Sequence, residues 1–219
     1  MATRWYTDPT NVPDVSPDYD GGWDETASAI RRKLVIDTKG DNGYTFIDDQ
    51  ATVAATAYYL IYQFVSEPLD AISATLAVSK AAFICKESGA KLDGLLHLVF
   101  RKCDGDGSNP VTIDTLTDDV EFSTSGISRF AGPSDLTDQE LSQGDRFIVE
   151  VGFKDSTKDS LLVGTIYIRD DDPDDLPEND TTGGSYNSWI ETGDTFTVAS
   201  GDPDPPWEVV KLGPMFAFA

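Results

Sequence analysis

Apolar side chains recur at every second position in five segments, and this period restricts the fold more than any other feature of the chain. Successive side chains of a β-strand point to opposite faces, so a period of two indicates a strand with one buried face. The five sets are Tyr58, Leu60, Tyr62 and Phe64; Ile72, Ala74, Leu76 and Val78; Leu96, Leu98 and Phe100; Phe147, Val149, Val151 and Phe153; and Leu162, Gly164, Ile166 and Ile168.

The kind of acidic residue supports the same conclusion. The chain contains 30 Asp and 9 Glu, and Asp prefers turns and caps whereas Glu favours helices. Turn-forming sequences separate the predicted strands at 39–43, 88–89, 104–107, 132–133 and 155–159. We therefore predict an all-β fold, an antiparallel β-sandwich that is jelly-roll-like. Helix is expected only in short pieces near 24–31 and 135–141.

Both ends of the chain are rich in proline. Seven of the twelve prolines lie in residues 1–22 and 201–219, and proline blocks both helix interiors and sheet ladders. We predict an extended N-terminal arm at 1–22, a β-sandwich domain at 23–200 and an extended C-terminal arm at 201–219. The large apolar side chains of the arms need a surface to pack on, either on their own domain or on a neighbouring subunit. The candidate partner-binding residues are Trp5, Tyr6, Tyr19, Trp207, Met215, Phe216 and Phe218.

The net charge of −23 argues against two kinds of partner. Nucleic acid and anionic membrane surfaces are both recognised through Lys and Arg, so neither is expected to bind this chain. The most apolar window, 51–65, is too short to span a bilayer. The N-terminus lacks the basic-then-apolar pattern of a secretory signal. Cys85 and Cys103 are expected to be reduced thiols.

Signatures of catalysis are missing from the sequence. The one histidine, His97, falls on the predicted outward face of a strand and has no evident partner. The chain has no GxSxG, Walker or GxGxxG motif. We therefore predict that the protein is not an enzyme and has no cofactor.

Two kinds of ligand site remain as alternatives. The first is a calcium site in the acidic run at 170–180, where carboxylates suit Ca²⁺, although a solvated acidic loop is the commoner outcome for such a run. Its candidate ligands are Asp170, Asp171, Asp172, Asp174 and Asp175. The second is a glycan site in which Tyr186 and Trp189 stack on sugar rings; otherwise Trp189 begins a strand and fills the core.

Four motifs occur in a fixed order along the chain. They are Arg4-Trp5-Tyr6 with Val15-Ser16-Pro17 and Trp23; Gln63 to Leu69; Gly144 to Gly152; and Asp175 to Asp180 with Trp189-Ile190-Glu191. As an ordered set they resemble uncharacterised structural proteins of tailed-bacteriophage virions. The resemblance spans residues 4 to 191, and the stretch 195–219 departs from it.

The resemblance implies a structural component of a virion with no catalytic residues, and it does not distinguish head from tail. We expect the protein on the exterior surface of the virion. We expect a capsid decoration (cement) protein that stabilises the head through inter-subunit contacts. Its expected partners are the major capsid protein or other virion proteins, and it is expected to form a homo-oligomer. The alternatives are a tail- or fibre-associated structural protein and a glycan-binding module displayed on the virion.

Overall fold

Thirteen β-strands make up most of the described chain. The computed structural model describes residues 3–8, 11–27, 29–36, 51–52, 57–70, 74–76, 78–87, 93–124, 127–131, 139–155, 163–168, 175–176, 187–193, 196 and 198. The strands are β1 (Thr3–Asp8), β2 (Ile30–Val35), β3 (Ala51–Thr52), β4 (Ala57–Ser66), β5 (Ala74–Leu76), β6 (Val78–Glu87), β7 (Leu95–Cys103), β8 (Val111–Glu121), β9 (Ile127–Ala131), β10 (Gln139–Leu141), β11 (Arg146–Asp155), β12 (Val163–Tyr167) and β13 (Trp189–Thr192).

The described residues contain no helix, so the prediction of an all-β fold is confirmed. The two predicted helices are wrong where the structure describes them, because residues 30–35 and 139–141 are strands. It follows that the described chain has no helix able to cross a membrane.

Eleven strands form one mostly antiparallel sheet. Its order is β3-β12-β6-β13-β1-β2-β4-β11-β7-β8, and β9 pairs with β6 outside this path. β5 and β10 form a separate two-stranded sheet. The first part of β1 pairs with β13 and its last part pairs with β2. The N-terminal strand therefore joins the two halves of the sheet.

The two halves share one apolar core. Trp5 of β1 packs against Phe147 of β11, with ring centroids 5.4 Å apart. Gly164 of β12 and Phe153 of β11 are far apart in the sheet order, yet a Cβ atom on Gly164 would lie 2.7 Å from the Phe153 ring. The sheet therefore curls until its halves face each other. This shape is compatible with the predicted sandwich, and the jelly-roll topology stays a prediction.

The predicted alternation of core residues is confirmed in β7 and β11. All the predicted residues of these two strands lie in the main core: Leu96, Leu98, Phe100, Phe147, Val149, Val151 and Phe153. In β4 the phase of the alternation changes. Tyr62 and Phe64 face the core as predicted, but so do Tyr59 and Ile61. The pairing of β4 with β11 shifts by one residue at this point, and such a β-bulge moves the following side chains to the opposite face.

Residues 11–27, which we call the strap, lie on the outward face of β4, β11 and β7. Trp23 of the strap forms a second apolar cluster with Leu60 and Val99 on that face. Backbone N–H groups of Asp24 and Glu25 donate to the carbonyl of Tyr58 at 3.0 and 3.1 Å. Both faces of these strands are therefore buried.

The predicted division into arms and domain needs a correction at the N-terminus. Residues 3–8 form an internal strand, and the strap lies on its own domain. The physical reason is that Trp5, with no exposed surface, fills the core of its own chain. Residues 201–219 lie outside the described residues.

We expect Gly152→Ala to lower the free energy of unfolding by about 2–4 kcal/mol, because overpacking beside a rigid backbone cannot relax. Gly152 lies at the bulge, where a Cβ atom would sit 1.9 Å from the carbonyl oxygen of Tyr59 and 2.8 Å from the Trp23 ring. Urea denaturation followed by tryptophan fluorescence measures the change. Gly21→Ala is the control, since nothing lies within 4 Å of its added Cβ; equal midpoints for the two variants would contradict the prediction.

Candidate functional site

A buried carboxylate, that of Glu150, lies between the strap and the sheet. Glu150 is on the outward face of β11, and its exposed fraction is 0%. Its oxygens accept hydrogen bonds from Gln63 Nε2 at 2.9 Å, Arg101 Nη1 at 2.8 Å and Trp23 Nε1 at 2.6 Å. The backbone N–H of Asp20 donates to both oxygens, at 3.1 and 3.2 Å. We call these five residues the Glu150 cluster.

Arg31 of β2 extends the Glu150 cluster to a further part of the strap. Its Nε donates to Gln63 Oε1 at 2.7 Å, and its Nη2 donates to the carbonyl of Pro17 at 3.0 Å. The same guanidinium lies 4.2 Å above the ring of Tyr19, which is a cation–π contact. The strap is thus held through its backbone as well as its side chains.

A second buried arginine holds the start of the strap. Arg146 of β11 donates to Asp14 Oδ2 at 3.0 Å. It also donates to the carbonyl of Ser66 at 3.0 Å and to that of Gly105 at 2.7 Å. Because a planar guanidinium can serve several acceptors at fixed angles, Arg146 joins the strap, the end of β4 and the loop after β7.

His97 lies beneath the strap and is neutral at pH 7. Its ring is 5.0 Å from that of Trp23 and 4.6 Å from that of Tyr58, centroid to centroid. Nδ1 lies 2.7 Å from Thr117 Oγ1. Burial, and then the charge of Lys154, lower the pKa of His97 to about 4. His97 does point away from the main core, as predicted, but this outward face is covered.

The charge of Asp20 is stabilised at the edge of the Glu150 cluster. Partial burial opposes its ionisation, but hydrogen bonds from Thr112 and from the N–H of Gly22, together with the charge of Arg101, hold the pKa of Asp20 below its usual value. Asp20 therefore stays ionised while its own N–H binds Glu150. This places the middle of the strap over the junction of β7 and β8.

The geometry of the Glu150 cluster suits it to fasten the strap. A general acid or base must reach the proton that it transfers. Both oxygens of Glu150 are already hydrogen-bonded, and solvent does not reach them. A carboxylate satisfied in this way stabilises the conformation that supplies its donors.

Trp189 is the centre of a second group of residues joined by hydrogen bonds and ion pairs, on the other half of the sheet. Its exposed fraction is 0%, and its Nε1 donates to the carbonyl of Leu176 at 2.8 Å. The guanidinium of Arg4 lies 4.2 Å above its ring. Arg4 also donates to Asp175 Oδ2 at 2.6 Å and to Glu191 Oε2 at 3.0 Å. We call these residues the Trp189 cluster.

The Trp189 cluster contains one residue of each ligand prediction, Trp189 and Asp175. A tryptophan that is fully buried under Arg4 cannot stack on a sugar ring, so the glycan prediction is wrong for Trp189; Tyr186 lies outside the described residues. Asp175 pairs with Arg4 and is therefore committed to an ion pair within the chain. The other predicted calcium ligands, Asp170, Asp171, Asp172 and Asp174, lie outside the described residues. The described residues hold no group of three or more potential metal ligands.

The predicted partner-binding residues fall into three groups. Trp5 and Tyr6 are buried in their own chain, with 0% and 8% exposed, so this prediction is wrong for both. Tyr19 is half-buried beneath Arg31, and its contact with a partner stays a prediction. Trp207, Met215, Phe216 and Phe218 lie outside the described residues.

The two cysteines are free, as predicted, and both are buried. Burial raises the pKa of the Cys103 thiol to about 11, so it remains protonated at neutral pH.

Sequence reasoning missed the polar residues on which the strap depends. Gln63 interrupts the most apolar window of the chain, and Glu150 interrupts a run of apolar strand residues. Such interruptions are the only local signal that these positions are special. A polar residue on an outward strand face usually contacts water. The interruptions at Gln63 and Glu150 therefore do not reveal that the strap covers these positions.

No protein-family model matches the chain, and no curated protein matches it. Its role has to be argued from its own residues.

We expect Glu150→Gln to lower the free energy of unfolding by about 3 kcal/mol, because it leaves the buried charge of Arg101 without its close counter-ion. Arg101 Nη1 would keep the carbonyl of Asp18 at 2.5 Å, and its Nε would keep Asp20 at 3.8 Å. Chemical denaturation measures the loss, and hydrogen exchange of the strap amides locates it.

Glu25→Gln is the matched control for this substitution. Glu25 lies in the same strap but is exposed, and a surface charge change is expected to alter stability by no more than about 0.5 kcal/mol. Strap amides that exchange at the same rate in Glu150→Gln and the wild type would show that Glu150 does not fasten the strap.

The lowered pKa of His97 predicts a loss of stability in mild acid. The neutral form is favoured in the folded state, so the contribution is complete above the ordinary pKa of 6.5 and is lost as the pH falls to about 4. Between pH 7 and 4.5 the wild type is expected to lose about 2 kcal/mol more than His97→Gln does. Urea denaturation at several pH values tests this, and parallel curves for the two proteins would refute it.

Proposed function

We propose that the chain is a non-catalytic structural protein of a tailed-phage virion, and that it acts as a capsid decoration protein on the outer surface. The observation that carries the proposal is where the four motifs lie in the fold. Trp23, Gln63 and Glu150 come from three different motifs and meet in the Glu150 cluster. The first and fourth motifs meet in the Trp189 cluster, where Arg4 contacts both Asp175 and Trp189.

The residues that carry the resemblance therefore tie together distant parts of the chain. Trp23 and Glu150 are 127 residues apart, and Arg4 and Asp175 are 171 apart. Motifs of an enzyme converge on a pocket that admits substrate. Motifs that meet in contacts such as the Glu150 and Trp189 clusters stabilise the fold, and a stable fold is what a structural protein requires.

The charge of the chain supports a position on the outside of the head. A net charge of −23 disfavours contact with packaged DNA, because binding to phosphates depends on Lys and Arg. On the outer surface the same charge keeps particles apart in solution. The proposed partners are the major capsid protein or other virion proteins, in a homo-oligomeric arrangement.

Copy number in purified particles tests the proposal. Gel densitometry of particles of the phage that encodes this chain is expected to show a copy number of the same order as that of the major capsid protein. A few copies per particle would indicate a tail- or fibre-associated protein instead. Absence from purified particles would overturn the virion role.

Deletion of residues 201–219 tests the contribution of the predicted C-terminal arm. We expect the truncated chain to be incorporated less into particles, because the deletion removes Trp207, Met215, Phe216 and Phe218. Its midpoint of thermal unfolding is expected to match that of the full chain, which serves as the control for folding. Normal incorporation of the truncated chain would rule out the arm as the anchor.

A further inference from the structure

His97 is enclosed between the sheet and one end of the strap. The ring of Trp23 meets the imidazole edge-on, at an interplanar angle of 78°, and the ring of Tyr58 lies on it from β4. Gly152 of β11 pairs with His97, and a Cβ atom on Gly152 would lie 2.8 Å from the Trp23 ring. The absence of a side chain there lets Trp23 lie against the imidazole. A buried titratable group is therefore covered by a segment of the strap.

The groups that face His97 favour its neutral form. Burial and the ammonium of Lys154 in β11 oppose a positive charge, and the carboxylate of Asp20 in the strap offsets them only in part, so the pKa of His97 falls to about 4. Lys154 Nζ also lies 5.6 Å from the centroid of the Tyr58 ring, and this ring would contact two cations if His97 gained a proton. Thr117 of β8 faces Nδ1 with a hydroxyl, which serves either form because it can donate or accept.

The end of the strap that covers His97 is held to β4 by hydrogen bonds of an exposed segment. The N–H groups of Asp24 and Glu25 donate to the carbonyl of Tyr58, and the N–H of Leu60 donates to the carbonyl of Glu25 at 2.9 Å. The N–H of Tyr58 donates to Asp24 Oδ2, also at 2.9 Å. Asp24 and Glu25 are themselves exposed. Exposed backbone hydrogen bonds with few buried side chains characterise segments that open locally.

Gly21 and Gly22 separate this end of the strap from the part that precedes it. Both glycines are exposed, and glycine gives the backbone the freedom that a hinge needs. On the near side of the hinge, the N–H of Asp20 stays bound to Glu150. Movement of residues 23–27 would remove from Glu150 only the hydrogen bond of Trp23 Nε1. This end of the strap can therefore leave the sheet without dismantling the Glu150 cluster.

We infer that proton uptake by His97 releases residues 23–27 of the strap from the sheet, while the sheet itself stays folded. The closed form disfavours the imidazolium, whereas the open form exposes the ring to water, so acid shifts the equilibrium towards the open form. Release uncovers Trp23, Leu60 and Val99, an apolar cluster that is buried at neutral pH. Exposure of this apolar surface is thereby coupled to pH, whether or not the chain is carried on a virion.

Hydrogen exchange of the full chain at pH 7 and pH 5 tests the inference. The pKa of His97 is about 4 in the closed form and takes its ordinary value of 6.5 in the open form, so the equilibrium constant for opening is expected to rise roughly 20-fold between the two pH values. The amides of Asp24, Glu25 and Leu60 report this opening because they donate across the contact. Their rates are divided by the intrinsic exchange rate at each pH. The amides of β11 are the internal control and should change by less than about threefold.

His97→Gln separates the effect of His97 from that of carboxylates that also titrate in mild acid. Glutamine is polar and cannot gain a proton, so the corrected exchange of the strap amides is expected to change by less than about threefold between pH 7 and pH 5. The same rise in the variant and the wild type would overturn the inference. An equal rise in the β11 amides of the wild type would also overturn it, because acid would then unfold the whole domain.

An NMR titration of the wild type keeps the test decisive if the variant folds poorly. His97 is the one histidine of the chain, so a single imidazole reports its own protonation. We expect this imidazole to remain neutral in the closed form at pH 5. Titration at its ordinary pKa of 6.5, with the amides of Asp24 and Glu25 still protected, would show that the closed strap tolerates the charge and would refute the inference.

Discussion

The burial of the Glu150 carboxylate is the constraint on which the outward half of the structure depends. An ionised carboxylate removed from water costs several kcal/mol unless charged and polar partners replace the solvent. The sheet alone supplies Gln63 and Arg101, and the strap supplies Trp23 and the N–H of Asp20. The hydrogen bonds of Glu150 are therefore complete only when the strap lies on the sheet. The strap then also covers His97, Leu60 and Val99 and keeps water from them.

The strands were predictable from the sequence because alternation is a local property. Phe147 to Phe153 show the period of two within seven residues, and nothing distant alters it. The change of phase in β4 was not predictable, since it depends on Ile61 being an extra residue between Tyr62, which pairs with Val151, and Leu60, which pairs with Gly152. The cover over Glu150 was not predictable either, because it depends on a residue 127 positions away.

The aromatic residues at the N-terminus show a different limit of sequence reasoning. The expectation that Trp5 and Tyr6 need an apolar surface was right, and the alternative that this surface belongs to their own chain describes the structure. Sequence composition measures how apolar a segment is. It does not say which molecule provides the surface, and for Trp5 the answer came from pairing between β1 and β13. Trp189 shows the same limit, since its environment is set by Arg4.

The position of β1 has a consequence for how the protein is made. Thr3 is paired with Thr192, so this part of β1 waits for a partner strand that is synthesised 189 residues later. At synthesis rates of about 5–20 residues per second, this interval is roughly ten to forty seconds. During that time Trp5 and Tyr6 have no completed sheet to enter, and contacts of such long sequence separation form slowly. The part of β1 that pairs with β13 therefore stays without its partner strand until residues 189–192 have been made, and Trp5 stays outside its finished core for the same interval.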